Sequence, residues 1–219
     1  MHTHLFSRII LFILGLYAMG FGVALSIIAN LGTSPISSFP YVVSVITPLT
    51  VGTVTLIMNC IFIAVQILIL KKQFKLWQLL QLPGLLVFSV CIDFNIWLLS
   101  SVIPVAYWQQ FLLMLAGCVL LGLGISLLMK AGFVMMPGDT LVRVISDVKH
   151  WDFAKVKVCF DVVLVCLSVV VSLIFLQTVV GVREGSLVAA LTVGWIVKFF
   201  NHVLTHKKDR KVPDTKPLS

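Results

Sequence analysis

Charged side chains are scarce in this sequence, and their scarcity excludes an ordinary soluble domain. Asp, Glu, Lys and Arg make up 11% of the 219 residues and hydrophobic residues 60%, whereas a soluble domain has about 25% charged and about 45–50% apolar residues. No charged residue occurs from Ile9 to Leu70. Such a stretch cannot cover a water-exposed surface, so we expect a polytopic membrane protein whose spanning helices each take about 20 apolar residues.

Motifs that carry reaction chemistry are also missing. The sequence contains no HExxH, no GxSxG and no phosphate-binding loop, which are signatures of metal-dependent hydrolysis, acyl transfer and nucleotide binding. Its five cysteines form no CxxC pair, so neither a zinc site nor a disulfide framework is predicted. Basic residues are not interleaved with aromatic residues as in single-strand nucleic-acid binders. We therefore expect no catalytic residue, metal, cofactor or nucleic-acid partner.

Six apolar segments are long enough to cross a bilayer, which predicts an all-α membrane protein. They are Ile9–Leu31, Val51–Leu70, Leu76–Ser100, Trp108–Met129, Phe153–Gln177 and Gly185–Leu204. Residues 1–204 are expected to form a single membrane domain. Residues 205–219 are polar and contain two prolines, which is typical of a disordered tail.

The basic residues predict the orientation of these spans. If the amino terminus is cytoplasmic, fifteen of the sixteen Lys and Arg residues lie in inside loops, tails or inner span ends, and only Arg183 lies outside. Positive residues are enriched on the cytoplasmic side of membrane proteins, so both termini are expected there. Small residues such as Ala18 and Gly22 permit close helix packing, either within the chain or in a homodimer.

The chain resembles itself after an offset of about a hundred residues. Gly22–Gly32 aligns with Gly122–Gly132, and a shift of two further residues aligns four later pairs. These pairs are Pro35 with Pro137, Ser37 with Asp139, Ser38 with Thr140 and Asn59 with Asp161. The units, 9–100 and 108–204, each contain one span, a short broken segment and two more spans. Three crossings are an odd number, so the second unit enters from the opposite side. This predicts two inverted three-helix repeats, an arrangement common in transporters.

The broken segments, Thr33–Pro48 and Phe133–His150, are too short to span a bilayer. In the first, Thr33 or Ser34 can cap a helix that starts at Pro35, and the free N–H groups of such a helix can bind an anionic or carbonyl group. We favour a re-entrant helix for the uncharged first segment. For the charged second segment, an interfacial helix is an equally good interpretation.

Three polar residues lie within the predicted spans toward their outer ends. Asp93 is about 10 Å and Asn59 about 12 Å from the outer ends of their helices at a rise of about 1.5 Å per residue, so they can meet at one depth with Asn95 nearby. Polar groups at membrane depth face a cavity or a partner. They predict either a substrate or proton site, or a buried polar clamp between helices.

Two further charges are expected to neutralise each other. Asp161 lies about 8 residues inside the cytoplasmic end of the fifth span, and Lys198 lies at a similar depth in the sixth. We expect a structural ion pair between them. Lys157, four residues before Asp161, is an alternative partner.

Short motifs carry a family resemblance. The stretch from Asn30 to Pro35 (NLGTSP), followed by Gly52-Thr53-Val54 and Ile92-Asp93, resembles the YitT/YczE-type family of bacterial integral membrane proteins. The resemblance implies a small six-helix protein of the bacterial plasma (inner) membrane. It also implies that Gly32, Thr33, Pro35 and Asp93 are motif positions of undetermined chemistry.

These observations favour a small-solute transporter that works by alternating access of the two repeats. The expected substrate-binding residues are Thr33, Ser34, Pro35, Asn59, Asp93 and Asn95. Two alternatives stay open, a substrate-binding subunit of a multi-component uptake system and a membrane accessory protein that does not transport. The bilayer is the expected environment in every case.

Overall fold

The structure, a computed structural model, describes residues 2–74, 76–133 and 135–209, and this part of the chain is helical without strands. The α-helices are α1 His2–Ala29, α2 Pro35–Ile46, α3 Val51–Leu70, α4 Gln81–Leu98, α5 Tyr107–Ala131, α6 Pro137–Lys149, α7 Phe153–Leu176 and α8 Glu184–Asp209. Six helical segments are long and apolar enough to cross a membrane, which confirms the six predicted spans. The two broken segments form the short helices α2 and α6.

Two boundaries differ from the sequence prediction. The third span begins with a 3-10 turn at Leu76–Leu80 before α4, and Pro83 is accommodated in the first turn of α4, where a missing N–H costs nothing. Helix α8 continues to Asp209, so the first five residues of the predicted disordered tail 205–219 are helical. Residues 210–219 lie outside the described residues.

Helices α1 and α5 form a close antiparallel pair. A Cβ atom on Gly15 would lie 3.0 Å from the Gly124 carbonyl oxygen, and one on Gly22 would lie 2.7 Å from the Gly117 carbonyl oxygen. Contacts advance along α1 while they recede along α5, so the helices run in opposite directions. Small residues permit this approach because no side chain separates the backbones.

The helices of the described residues pack in two groups of four. In the first group, which we call the long-helix bundle, α4 packs against α1 and α8 packs against α5, around the α1–α5 pair. In the second, the short-helix bundle, α2 packs against α7 and α3, and α6 packs against α3 and α7. Helices α3 and α4 also pack together and join the bundles. Each bundle therefore contains two helices from each half of the chain, in equivalent places.

The amino ends of α2 and α6 meet inside the short-helix bundle. A Cβ atom on Gly138 would overlap Cδ1 of Ile36, and each residue is the second of its helix. A hydrophobic cluster surrounds this contact and includes three pairs that align in the repeat register. These pairs are Phe39 with Leu141, Met58 with Phe160 and Phe62 with Leu164. The two halves thus contribute equivalent residues to one core.

An arginine caps each carboxyl end of the α1–α5 pair. Arg8 donates from Nε to the Ala131 carbonyl (2.7 Å) and from Nη2 to the Gly132 carbonyl (2.9 Å). Arg183 donates from Nη1 to the Asn30 carbonyl (3.0 Å). The last carbonyls of a helix lack partners within it and carry partial negative charge. The isolated basic residue Arg183 therefore has a structural role. We call the end at Arg8, where α1 begins and α5 ends, the basic end.

Candidate functional site between the two bundles

A cavity of about 100 Å³ lies between the bundles at the basic end. Its walls are formed by Met19, Ile125, Leu128, Met129, Gly132, Phe133, Met135, Met136 and Asp139. Four of these nine residues are methionines, whose flexible thioether side chains adapt to irregular space. A water molecule needs about 10–15 Å³ of such volume, so the cavity has room for a solute of a few non-hydrogen atoms.

Asp139 is the charged residue among those that line the cavity. It lies in the first turn of α6, which begins at Pro137 after the extended residue Met136, and a carboxylate there is stabilised by the helix dipole. Lys157 of α7 lies 3.0 Å from Asp139 and 3.1 Å from Asp161 (Nζ to Oδ1 in both cases). Their side chains are 26–32% exposed. Two carboxylates share one ammonium group, so the triad has an excess negative charge.

A buried amide lies at the start of the same helix. Gln66 of α3 is 0% exposed, and its Nε2 donates to the Pro137 carbonyl at 2.9 Å. Its Oε1 is buried and has no hydrogen-bond partner among the described residues. A buried acceptor without a donor is energetically costly. This atom is therefore an unused hydrogen-bond acceptor beside the first turn of α6.

Two guanidinium groups border the cavity. The Arg8 guanidinium lies 4.9 Å from the centroid of the Phe133 ring while it caps α5. Arg143, one helical turn after Asp139, directs Nη1 toward the sulfur of Met135 at 3.8 Å. The cavity therefore has an apolar wall, one carboxylate inside and positive charge at its rim.

The predicted site around Asp93 has a different geometry. The Asp93 carboxylate accepts hydrogen bonds from Thr50 Oγ1 (2.6 Å) and from the Gly52 backbone N–H (2.7 Å). Both donors lie at the amino end of α3, where a negative charge satisfies free N–H groups. A Cβ on Gly52 would overlap both Asp93 and the Ser89 carbonyl oxygen. Asp93 thus joins α3 to α4, as the polar-clamp interpretation requires.

Asn59 and Asn95 make hydrogen bonds within their own helices. Asn59 donates from Nδ2 to the Thr55 carbonyl at 2.9 Å, and Asn95 donates to the Cys91 carbonyl at 2.7 Å. Each bond reaches back four residues along the same helix. Both side chains are buried, and Asn95 Oδ1 has no partner among the described residues. Equal depth along two helices did not bring these residues together.

Thr33, Ser34 and Pro35 lie at the start of α2 as predicted. The Thr33 N–H donates to the Gly181 carbonyl in the α7–α8 loop at 3.0 Å. Ser34 precedes the helix and donates from Oγ to the Ser37 hydroxyl at 3.0 Å. Pro35 occupies the first helical position. These contacts fix α2 to the α7–α8 loop through buried polar groups.

A second contact holds the start of α2, and the start of α6 is held in an equivalent way. Ser38 of α2 and Ser168 of α7 are 0% exposed, and their hydroxyl oxygens lie 2.9 Å apart. In the repeat register Ser168 corresponds to Gln66, which binds the start of α6. The amino ends of α2 and α6 are thus each fixed by a polar side chain from the spanning helix of the opposite half.

The structure replaces one predicted ion pair. Asp161 pairs with Lys157 at i−4 instead of Lys198. The Lys198 ammonium lies 6.0 Å from the centroid of the Trp195 ring. Because α6 packs against α7, Asp139 approaches the same lysine, whereas α8 packs against α5.

Sequence reasoning did not single out Asp139, Lys157 and Gln66 as one site. Gln66 had a usable signal, since an amide within a long apolar run must find a partner. Asp139 and Lys157 are far apart in sequence, and only the packing of α6 against α7 brings them together. No group of three or more metal-ligating His, Cys, Asp or Glu side chains occurs in the described residues.

Fold and site define a class: a six-span helical membrane protein in which two short helices meet by their amino ends inside the bundle. The chain belongs to the family of unknown function DUF6198, which it matches over residues 6–202. It is also 28% identical over 158 residues to a Bacillus subtilis (strain 168) protein described as "Uncharacterized membrane protein YczE", with coverage of 72% of this chain and 71% of the relative. The resemblance to the YczE-type family is confirmed. No solved structure matches.

Proposed function

We propose that this protein is a small-solute transporter of the bacterial inner membrane that works by alternating access. In this mechanism the short-helix bundle rocks against the long-helix bundle, and the solute occupies the cavity between them. The basic end faces the cytoplasm by the positive-inside rule, and both termini are cytoplasmic.

The composition of the two bundles carries this proposal. Each bundle pairs equivalent helices from the two halves, and the equivalent helices α1 and α5 run antiparallel. These features support an inverted repeat. When two inverted halves exchange conformations, the side that is open exchanges with the side that is closed.

A cavity at one end of the bundle interface supports the proposal. The cavity lies at the basic end, between Met19, Met136 and Asp139. At the opposite end, several positions that correspond to the cavity wall in the repeat register are buried. They include Leu25 (6% exposed), Ala29 (0%), Thr33 (1%) and Ser34 (9%).

Thiol labelling at one pair of equivalent positions tests the proposal. Ser34 and Met136 align in the repeat register and precede α2 and α6. Ser34→Cys and Met136→Cys are introduced separately after the five native cysteines are replaced by alanine. A membrane-impermeant maleimide is then applied to each face of oriented vesicles, with and without pools of sugars, amino acids, nucleosides and organic ions.

At least one solute pool is expected to change the two labelling rates in opposite directions. Met136→Cys is labelled from the cytoplasmic face and Ser34→Cys from the other face, so slower labelling of one accompanies faster labelling of the other. Flux of the active pool into proteoliposomes is then measured. The proposal is overturned if no pool changes either rate and no pool is transported. Constant co-purification with an ATPase would instead favour a subunit of a multi-component uptake system.

A further inference from the structure

We propose that Asp139 binds the proton that drives this transporter. When Asp139 is protonated it loses its ion pair with Lys157, and Lys157 remains paired with Asp161. The inference rests on the proposed function and assigns its coupling ion and the residue that binds it. Three observations carry it: the charge of the triad, its counterpart in the other half, and the cavity that reaches Asp139.

The triad has one more acid than base. Lys157 lies within 3.1 Å of one carboxylate oxygen of each aspartate, and a single ammonium neutralises a single carboxylate. Asp161 lies about 12 Å inside the end of α7 at about 1.5 Å per residue, where an unneutralised charge is expensive. One bound proton removes the excess charge.

The equivalent positions of the first half are neutral. In the repeat register Asp139, Lys157 and Asp161 correspond to Ser37, Thr55 and Asn59. These three polar residues are buried, at 8%, 7% and 3% exposure. A fold that needed charges to join its short helix to the next span would need them in both halves. The charged triad is therefore a specialisation of the second half.

The described helices packed against α6 and α7 offer no other carboxylate that could bind the proton. Helices α2 and α3, which pack against α7 and α6, carry no charged residue, and their titratable side chains are Tyr41 and Cys60. On α6, Arg143 is directed to Met135, and on α1, Arg8 binds carbonyls of the α5 end. Both guanidinium groups remain at the cavity rim.

The cavity gives the proton a route and determines which aspartate receives it. Asp139 lines the cavity, whereas Asp161 is not among the lining residues. When the site faces the outer side of the membrane, a proton adds to Asp139, its ion pair with Lys157 breaks, and Lys157 keeps Asp161 as partner on its own helix. The charge of the triad changes from minus one to zero. The ion pair between α6 and α7 is lost, and it forms again when Asp139 releases the proton through the cavity into the cytoplasm.

The buried amide of Gln66 lies beside the same helix start. Its Nε2 donates to the carbonyl of Pro137, two residues before Asp139, and its Oε1 has no partner among the described residues.

Infrared spectroscopy of the full-length protein in proteoliposomes tests the proton site without a known solute. The carbonyl stretch of protonated carboxyl groups is followed as a function of pH for the wild type, Asp139→Ser, Asp161→Asn and Asp147→Asn. The first two changes copy the residues of the other half. Asp147 is exposed on the same helix as Asp139 and serves as the matched control. We expect Asp139→Ser to lose one titrating carboxyl group that Asp147→Asn retains.

In Asp161→Asn the remaining pair, Lys157 with Asp139, is electrically neutral, so its titrating signal is expected to move to lower pH. The inference is overturned if Asp139→Ser titrates like the wild type. The labelling assay with Ser34→Cys and Met136→Cys keeps the two proposals separate. In one outcome, labelling responds to a solute pool but is identical at all pH values in the wild type and in Asp139→Ser. This outcome overturns proton coupling and does not contradict the transport proposal. In the other outcome, the carboxyl group of Asp139 titrates but no solute pool changes the labelling rates. This outcome overturns the transport proposal alone.

Discussion

The hydrogen bonds of Asp93 predict a measurable loss of stability in Asp93→Asn. The carboxylate accepts from Thr50 Oγ1 and from the Gly52 N–H at 2.6 and 2.7 Å. Hydrogen bonds to a charged group are worth about 1.5–3 kcal/mol and neutral ones about 0.5–1.5 kcal/mol. Asparagine keeps one carbonyl oxygen and loses the charge at the amino end of α3, worth about 0.3–1 kcal/mol.

We therefore expect Asp93→Asn to lower the free energy of unfolding by about 3–5 kcal/mol. The assay is reversible denaturant unfolding in mild detergent, followed by helical circular dichroism. Asp147→Asn, which removes an exposed carboxylate, is the control and should change stability by less than about 0.5 kcal/mol.

A double-mutant cycle identifies the contact itself. Thr50→Val alone removes the hydroxyl that also accepts from the Thr53 N–H, so it has a capping cost of its own of about 1 kcal/mol. The coupling between Asp93→Asn and Thr50→Val should be about 1 kcal/mol or more, as for residues in contact. The reasoning is refuted if Asp93→Asn is as stable as the wild type or if the two changes are additive.

Three further changes probe the contacts that organise the bundles, each measured by the same unfolding assay. Arg8→Ala should cost about 1–2 kcal/mol because two carbonyls at the end of α5 lose a charged donor; a variant of wild-type stability would contradict the capping role. Gly138→Ala should cost about 1–3 kcal/mol by overpacking against Ile36, and adding Ile36→Ala should recover most of that loss; an equal loss in both backgrounds would argue against the contact. Ser168→Ala should cost about 0.5–1.5 kcal/mol unless Ser38 is also alanine, in which case the further loss should be small.

The six spans and the starts of the two short helices could be predicted from sequence because both depend on local composition. Apolar length defines a span regardless of its neighbours, and Pro35 and Pro137 mark helix starts by fixing φ. The structure places the residues after these prolines, Ile36 and Gly138, in contact. Sequence could not predict that contact, since it depends on how deeply both short helices enter the bundle.

The site was harder to predict because the depth of a residue in the membrane does not determine which helix it faces. Position along a helix indicates how far a residue lies from the membrane surface, but its partner also depends on which side of the helix it occupies. Asn59 was expected to reach Asp93 and instead donates to the carbonyl four residues earlier. Such back-bonding satisfies a polar side chain without any other helix.

The hydrogen bonds of Asp93 between α3 and α4 have no equivalent in the second half, and this asymmetry bears on the proposed rocking motion. Gly52 corresponds to Ala154, and Asp93 corresponds to Gly194 or Trp195, depending on the register of the weaker third-span alignment. A Cβ on Gly194 would meet open space, and Trp195 is 75% exposed. The carboxylate junction between the bundles therefore occurs only in the first half. In the rocking motion proposed above, the Asp93 junction would be the pivot, because α7 and α8 can separate without breaking an equivalent pair of hydrogen bonds.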